Sequence, residues 1–396
     1  MTKRTSNSSR ASSVASEGPG KLTHIPHMLL VGAAGRNAGK TALACSIIRG
    51  ASRYHRVIGV KVMAVGDERA ACPHGDGCGA CGTLQGNFSI VEENRRGSGK
   101  DTARMLGAGA SRAFWLRARS GHLREGVAAL MSEVGEGEVV VCESTSARSV
   151  IEPAIFLIAK RADSDERKKS ARAVWDDADR IVSFDGRSFD LEIEDIRFAD
   201  GRWALRGDAS AIVMAGGESS RMGADKALLD LAGRPMIERI VSMLRPHFRE
   251  LIIGANDAGK YAFTGVRVVP DRLRGRGPLM GIASTLAASS HDLNFIQACD
   301  IPHTELRFVR RMLRLAEGCD AVIPRTPDGH EPLFAVYRKS ALAAIDEALK
   351  IGDGRISRIF GMCNVKFLDL PEGVRFTNLN TPEEYSSCVR SLAERF

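Results

Sequence analysis

Twice in 396 residues an apolar stretch runs straight into a glycine-rich loop and out again into a helical pattern. The first junction is residues 27–32 followed by Ala34-Gly35-Arg36-Asn37-Ala38-Gly39-Lys40-Thr41. The second is Ile212-Val213-Met214-Ala215-Gly216-Gly217 followed by Arg221, Asp225 and Lys226. Glycine carries no Cβ, so backbone N–H groups there can close on an anion, and a helix starting at that point offers its unpaired N–H groups to the same anion. Such junctions need a strand that ends where a helix begins, which is the parallel α/β arrangement.

The rest of the chain follows this pattern. Residues 57–62, 112–116, 138–142, 154–159 and 180–184 read as further buried strands, with helices such as 40–48 and 121–134 between them. Residues 189–193 alternate with period two, and Asp200-Gly201 is a turn pair between Ile196/Phe198 and Trp203/Leu205. A small hairpin or edge extension is therefore expected to close the first domain. A second alternation has strands at 211–215, 251–255, 266–269, 294–298 and 321–324. Its last helix is opened by Thr381-Pro382-Glu383-Glu384, a capping box with proline in the first turn. The expected fold is α/β: two three-layer α/β/α domains, the first P-loop NTPase-like and the second Rossmann-like. Residues 1–24 are expected as a disordered tail, 25–207 as the first domain and 208–396 as the second.

Composition narrows the partners. A net charge of +8 suits polyphosphate substrates as well as nucleic acid, but only 6% of residues are aromatic and no basic tract is interleaved with Phe or Tyr. A nucleic-acid partner is not expected. No apolar run has membrane-spanning length, and the Ser/Arg-rich start lacks the apolar core of a secretory signal. A cytoplasmic place follows, with the nine cysteines as thiols or metal ligands rather than a disulfide framework.

In the first loop Gly35, Asn37, Ala38 and Gly39 supply the phosphate-facing backbone, and Lys40 neutralises β/γ oxygens. Thr41 and Glu143, the latter ending an apolar strand, are the expected magnesium ligands. Together with Lys61, Gly99-Lys100-Asp101-Thr102 and Ala108-Gly109-Ala110, this half resembles the P-loop GTPase-like adaptor family that assists molybdopterin-guanine dinucleotide synthesis. The resemblance spans residues 27–184. It implies a GTP-binding adaptor, dimeric through this domain, with weak hydrolysis.

Cys72-Pro73-His74-Gly75-Asp76-Gly77-Cys78-Gly79-Ala80-Cys81 gathers three thiols and an imidazole. Cys72, His74, Cys78 and Cys81 could hold zinc, or the thiols an iron–sulfur cluster. The adaptor resemblance does not supply this cluster.

The second loop carries the strongest signal. Gly216-Gly217, Arg221-Met222-Gly223 and Asp225-Lys226 together resemble the molybdenum cofactor guanylyltransferase family, as do Leu229–Pro235, Asp271, the 275–281 stretch, Cys299-Asp300-Ile301-Pro302, Glu331-Pro332-Leu333-Phe334 and Asn378-Leu379-Asn380. The resemblance implies a nucleotidyltransferase that joins GMP from GTP to molybdenum-molybdopterin. It assigns nucleotide contacts to Met214, Ala215, Gly216, Gly217, Lys226, Asn256, Asp271 and Asp300. Pterin contacts fall on Gly277, Pro278, Gly281, Asn378 and Asn380. Both substrates are anions, so catalysis must rest on charge neutralisation and alignment. Arg221, Lys226 and Asp300 are the expected catalytic residues, with Asp300 as magnesium ligand. Gly254 stands where this family often carries Asn or Ser. Molybdoenzymes or their chaperones are the implied recipients. A cytidylyltransferase acting on the same pterin, a sugar-phosphate nucleotidyltransferase and a cofactor-insertion chaperone with a vestigial transferase are the alternatives.

Overall fold

A computed structural model of the chain describes residues 22–66, 84–97, 99–135, 137–216, 225–231, 233–327, 329–371, 374, 376, 378, 379 and 381–393. The chain divides into two compact units, Met1–Leu205 and Arg206–Phe396.

The first unit is built on seven strands: β1 (Thr23–Ala33), β2 (Val57–Val65), β3 (Phe88–Glu92), β4 (Arg112–Arg119), β5 (Val139–Glu143), β6 (Ile151–Arg161) and β7 (Arg180–Phe184). They lie in the order β3-β4-β2-β5-β1-β6-β7, parallel throughout except for the edge strand β3. Helices α1 (Lys40–Ala51) and α2 (Asp101–Gly107) cover one face, and α3 (Leu123–Val134) the other, with a short α4 at Lys169–Arg172. Along β1, Leu29 and Val31 enter the core under α1, while Met28 and Leu30 enter the core under α3. A strand buried on both faces reads as an unbroken apolar run, which is why it stands out in the sequence. β1 begins at Thr23, inside the stretch expected as tail.

The hairpin is formed by β8 (Ile196–Ala199) and β9 (Arg202–Leu205), with Asp200 and Gly201 both at positive φ in the two-residue turn. Trp203 is buried there, and its indole N–H faces the carbonyls of His27 and Val140, clasping β1 and β5. Residues 189–193 do not extend a sheet. Phe189 makes one isolated bridge to Phe184, and Ile193–Asp195 is a 3-10 turn.

The second unit holds β10 (Gly207–Met214), β11 (Phe248–Gly254), β12 (Arg267–Val269), β13 (Leu293–Ala298), β14 (Ala321–Thr326), β15 (Gly329–His330), β16 (Phe334–Arg338) and β17 (Val365–Asp369). Their order is β12-β11-β10-β13-β16-β14-β15, with β17 beside β14. The first four named are mutually parallel, and β16 runs antiparallel between β13 and β14. α5 (Met236–Leu244) and α7 (Leu306–Leu315) pack on one face; α6 (Pro278–Ala288) and α8 (Leu342–Lys350) pack on the other. α9 (Pro382–Ala393) opens with the expected reciprocal box: Thr381 N–H donates to Glu384 Oε2, and Glu384 N–H to Thr381 Oγ1. No described helix is long and apolar enough to cross a membrane.

Candidate functional site

In the second unit the parallel strands β10, β11 and β13 end together, and a cleft of about 1060 Å³ opens beyond their C-terminal ends. Open α/β sheets bind ligands at this edge, because the helices that follow the strands leave a crevice there. Its floor is fixed by backbone hydrogen bonds across the strand ends: Ala215 N–H donates to Gly254 O, and Cys299 N–H to Met214 O. Met214, Ala215, Gly216, Lys226, Asn256, Asp271, Gly277, Pro278, Gly281 and Asp300 all line it. Of the residues expected in this site, Gly217, Arg221 and Asn380 lie outside those described. Asn378 does not line the cleft; its side-chain oxygen is buried without a hydrogen-bond partner among the described residues, and the next residue, Leu379, donates its N–H to Asp300 O.

Lys226, in the 3-10 turn Lys226–Leu228, and Asp300, just after β13, both line the cleft, their Nζ and Oδ2 atoms 3.7 Å apart. Burial raises the pKa of the Asp300 carboxyl, and the Lys226 charge only partly opposes it. The group is thus a desolvated carboxylate whose charge is incompletely met by the protein, which suits a cation ligand. Asn256 and Asp271 bind each other twice: Asn256 Nδ2 donates to Asp271 Oδ2, and Asp271 N–H to Asn256 Oδ1, both at 2.9 Å. The Cys299 thiol is pushed up to about 12, first by burial and then by the charges of Asp300 and Asp225. A thiol raised in this way is a poor nucleophile.

Glycines in the cleft are there for space. A Cβ on Gly254 would stand 2.9 Å from the Met214 sulfur, and one on Gly281 2.5 Å from Met214 Cε. The Met214 thioether therefore fills the gap that a side chain at position 254 would need, and only backbone is available to a ligand at that strand end. Gly277, at φ 79°, begins α6 with Pro278 in its first turn.

Three residues that sequence reasoning did not single out for the site also line the cleft. Tyr261, 2% exposed, points its hydroxyl at Ala215 O and Asp225 Oδ2; Lys260 pairs with that Asp225 carboxylate; and Arg274 reaches toward Asn256 O. Asp225 was visible in the Asp-Lys pair, but nothing in the sequence links it to a tyrosine 36 residues away.

In the first unit the loop after β1 ends with Asn37 and Gly39 at positive φ, and α1 starts at Lys40. A Cβ on Gly39 would stand 2.7 Å from Phe184, so both backbone angle and space require glycine. Lys40 pairs with the buried Glu143 at 3.1 Å, and Glu143 Oε2 is buried with no hydrogen-bond partner among the described residues. Lys61 and Asp101, distant in sequence, form an ion pair, and Thr41 hydrogen-bonds the same carboxylate. Burial works to raise the Asp101 pKa, but Lys61, Thr41 and Arg104 together hold it below the usual range. Gly35 and Ala38 lie in the loop between β1 and α1, and Thr41 lies in the first turn of α1. Cys72, His74, Cys78 and Cys81 lie outside the described residues. Among those described, no cluster of three or more His, Cys, Asp or Glu is grouped to hold a metal.

Comparison with known proteins matches the second unit. The family described as MobA-like NTP transferase domain matches residues 211–365. A probable molybdenum cofactor guanylyltransferase of Pelotomaculum thermopropionicum is 34% identical over 194 residues, which is 47% of this chain and 94% of that protein. The molybdenum cofactor guanylyltransferase of Vibrio parahaemolyticus is 33% identical over 183 residues, 44% of this chain and 92% of its own. The crystal structure of molybdopterin-guanine dinucleotide biosynthesis protein A from Archaeoglobus fulgidus is 24% identical, covers 47% of this chain and 99% of its own, and has a TM-score of 0.42, too low to add to the sequence relatives. Less than half of this chain matches these relatives almost end to end.

Proposed function

The chain belongs to the molybdenum cofactor guanylyltransferase family and is a nucleotidyltransferase, and we propose that it transfers GMP from GTP to molybdenum-molybdopterin. An oxygen of the pterin phosphate bonds to the α-phosphorus of GTP as the bond to the β-phosphate oxygen breaks, and pyrophosphate leaves. The observation that carries this reading is the meeting of Lys226 and Asp300 within one cleft at the strand ends.

The chain's own groups divide the work. Lys226 neutralises the charge that builds on the phosphate oxygens as pyrophosphate departs. Gly216 offers backbone N–H to the nucleotide with no side chain in the way, and Asn256 and Asp271, braced against each other, present a fixed polar edge to it. Arg221 is assigned to the triphosphate from its place in the motif. The pterin side is assigned to Gly277, Pro278 and Gly281 at the start of α6 and, from its place in the motif, to Asn380. Magnesium fits the donor set, since it takes one or two carboxylates and completes its shell with phosphate oxygens and water, and the desolvated Asp300 carboxylate supplies such a ligand. Bound there, the ion would draw charge from the α-phosphate and leaving group.

The first unit is assigned as a nucleotide-binding adaptor that assists the second. Its loop geometry and the buried Glu143 oxygen, unpartnered among the described residues, support a phosphate and magnesium site built from Gly35, Asn37, Ala38, Gly39, Lys40, Thr41 and Glu143. GTP as its nucleotide, dimerisation through this unit, delivery of product to molybdoenzymes or their chaperones and a cytoplasmic place complete the proposal.

Incubation of the full chain with molybdenum-molybdopterin, magnesium and either GTP or CTP tests the reaction, with the product identified by mass. The guanine dinucleotide and pyrophosphate should form with GTP. Lys226→Ala should lower the rate by about 10²–10³, the scale for removing one transition-state charge partner. A cytosine dinucleotide as main product, or an unchanged rate in Lys226→Ala, overturns the assignment.

A further inference from the structure

A phenol has one proton to donate, yet the Tyr261 hydroxyl faces two acceptors, Ala215 O at 3.1 Å and Asp225 Oδ2 at 3.0 Å. One acceptor is a carbonyl, and the other is a carboxylate oxygen that also pairs with Lys260. Both distances exceed the usual 2.7–2.8 Å for an O–H···O bond, as expected when one proton is shared between two acceptors. Ala215 and Asp225 are the two shoulders of the glycine-bearing stretch. One side chain therefore holds both.

Holding them has a consequence for what the cleft presents. The described chain has no cis peptide bonds, so the N–H of Gly216 points opposite to the C=O of Ala215. A carbonyl drawn back to a hydroxyl on a buried residue turns that N–H toward the open side, where Gly216 is exposed. At the other shoulder, Asp225 accepts from Ala227 N–H at 2.9 Å and so sets the 3-10 turn that carries Lys226. Tyr261 is itself fixed: Thr264 Oγ1 donates to its carbonyl at 2.7 Å, and its ring packs in the core with Ala215, Ala227 and Ala255.

We propose that Tyr261 is a positioning residue for the nucleoside triphosphate, aiming the Gly216 N–H and the Lys226 ammonium into the cleft through one shared proton. This deepens the transferase reading and rests on it for the identity of the ligand. Tyr261 would touch no substrate, and the effect of removing its hydroxyl should fall on the nucleotide alone.

The test uses Tyr261→Phe in the full chain, which keeps the ring and removes the proton. The KM for GTP should rise about tenfold, the KM for molybdenum-molybdopterin should stay within twofold, and the melting temperature without nucleotide should hold. Asp225→Asn, which weakens the same brace from the other side, should raise the KM for GTP similarly, and the double variant should be little worse than either single one. Equal rises in both KM values with a fall in melting temperature would mark Tyr261 as merely structural. Equilibrium dialysis of labelled GTP against the chain carrying Lys40→Ala, which silences the first loop, separates the two hypotheses. Binding that is present and the same with and without the Tyr261 hydroxyl overturns this inference alone. No binding to the second unit at all overturns the transferase reading together with it.

Discussion

Asp300 stands at the end of β13 where water is scarce, and its carboxyl titrates above the ordinary value of 3.8 because burial disfavours its charge more than Lys226 restores it. The linkage runs in one direction. An acid whose folded pKa is raised binds its proton more tightly in the folded state, so the stability it contributes is present at low pH and is lost as pH climbs from 3.8 through the raised value. At neutral pH the apo protein thus carries an unfavourable charge. Asp300→Asn should raise the melting temperature of the metal-free protein at pH 7 by about 2–4 °C, the scale of ~1 kcal/mol in a unit of this size. That gain should vanish near pH 4 while transfer activity is lost at every pH; a lower midpoint at pH 7 would refute the account. Lys226 and Asp300 were legible because each sits in a short run of distinctive residues at an apolar strand's end. Tyr261 and Lys260 were not, since they ride a 3-10 turn and meet Asp225 only after β10 and β11 have paired.

Among elements, α6 begins against a segment that follows α8. Gly354 O accepts from Leu279 N–H at 3.3 Å in the first turn of α6, and a Cβ on Gly354 would run into the Arg276 carbonyl. That neighbour is backbone and cannot swing aside. Gly354→Ala should displace the 276–277 turn, cost about 2 kcal/mol in a urea melt of the second unit, and raise the KM for the pterin more than that for GTP. Unchanged stability would show that the turn yields freely. The helix itself was expected as part of the site, but its support was hidden, because two glycines 77 residues apart have no local pattern in common. The parallel strands were legible for the opposite reason: burial on both faces writes an apolar run. β15 was missed because it is two residues long, β3 and β17 because they are largely half-buried or exposed, and β16, though buried, because it runs antiparallel and follows β15 without a helix between. Residues 189–193 misled because their alternation serves packing: Leu191 is buried, and Phe189 and Ile193 lean on the same core, while the backbone leaves the ladder.

At the scale of the molecule, two units follow one another with β9 ending at Leu205 and β10 starting at Gly207. Relatives matched over nine-tenths of their length by less than half of this chain are proteins without a first unit of this kind in the match. Residues 206–396 made alone should therefore fold and transfer GMP with a kcat within about threefold of the full chain. A fused adaptor, by contrast, acts through local concentration. Adding residues 1–205 in trans at equal nanomolar concentration should give less stimulation than fusion does, and equal rates would remove any kinetic gain from fusion. The two-unit plan was legible from the two glycine junctions, and for the second unit the relatives speak for the same activity that its motifs imply. The Trp203 clasp bears on the order of synthesis. The indole that adds a tie between the already paired β1 and β5 is made almost last in its unit, so a nascent chain can gain that tie only once residue 203 has left the ribosome tunnel, just before the first strand of the second unit follows. Each half can then mature in turn, and the aggregation-prone interval of one need not overlap that of the other.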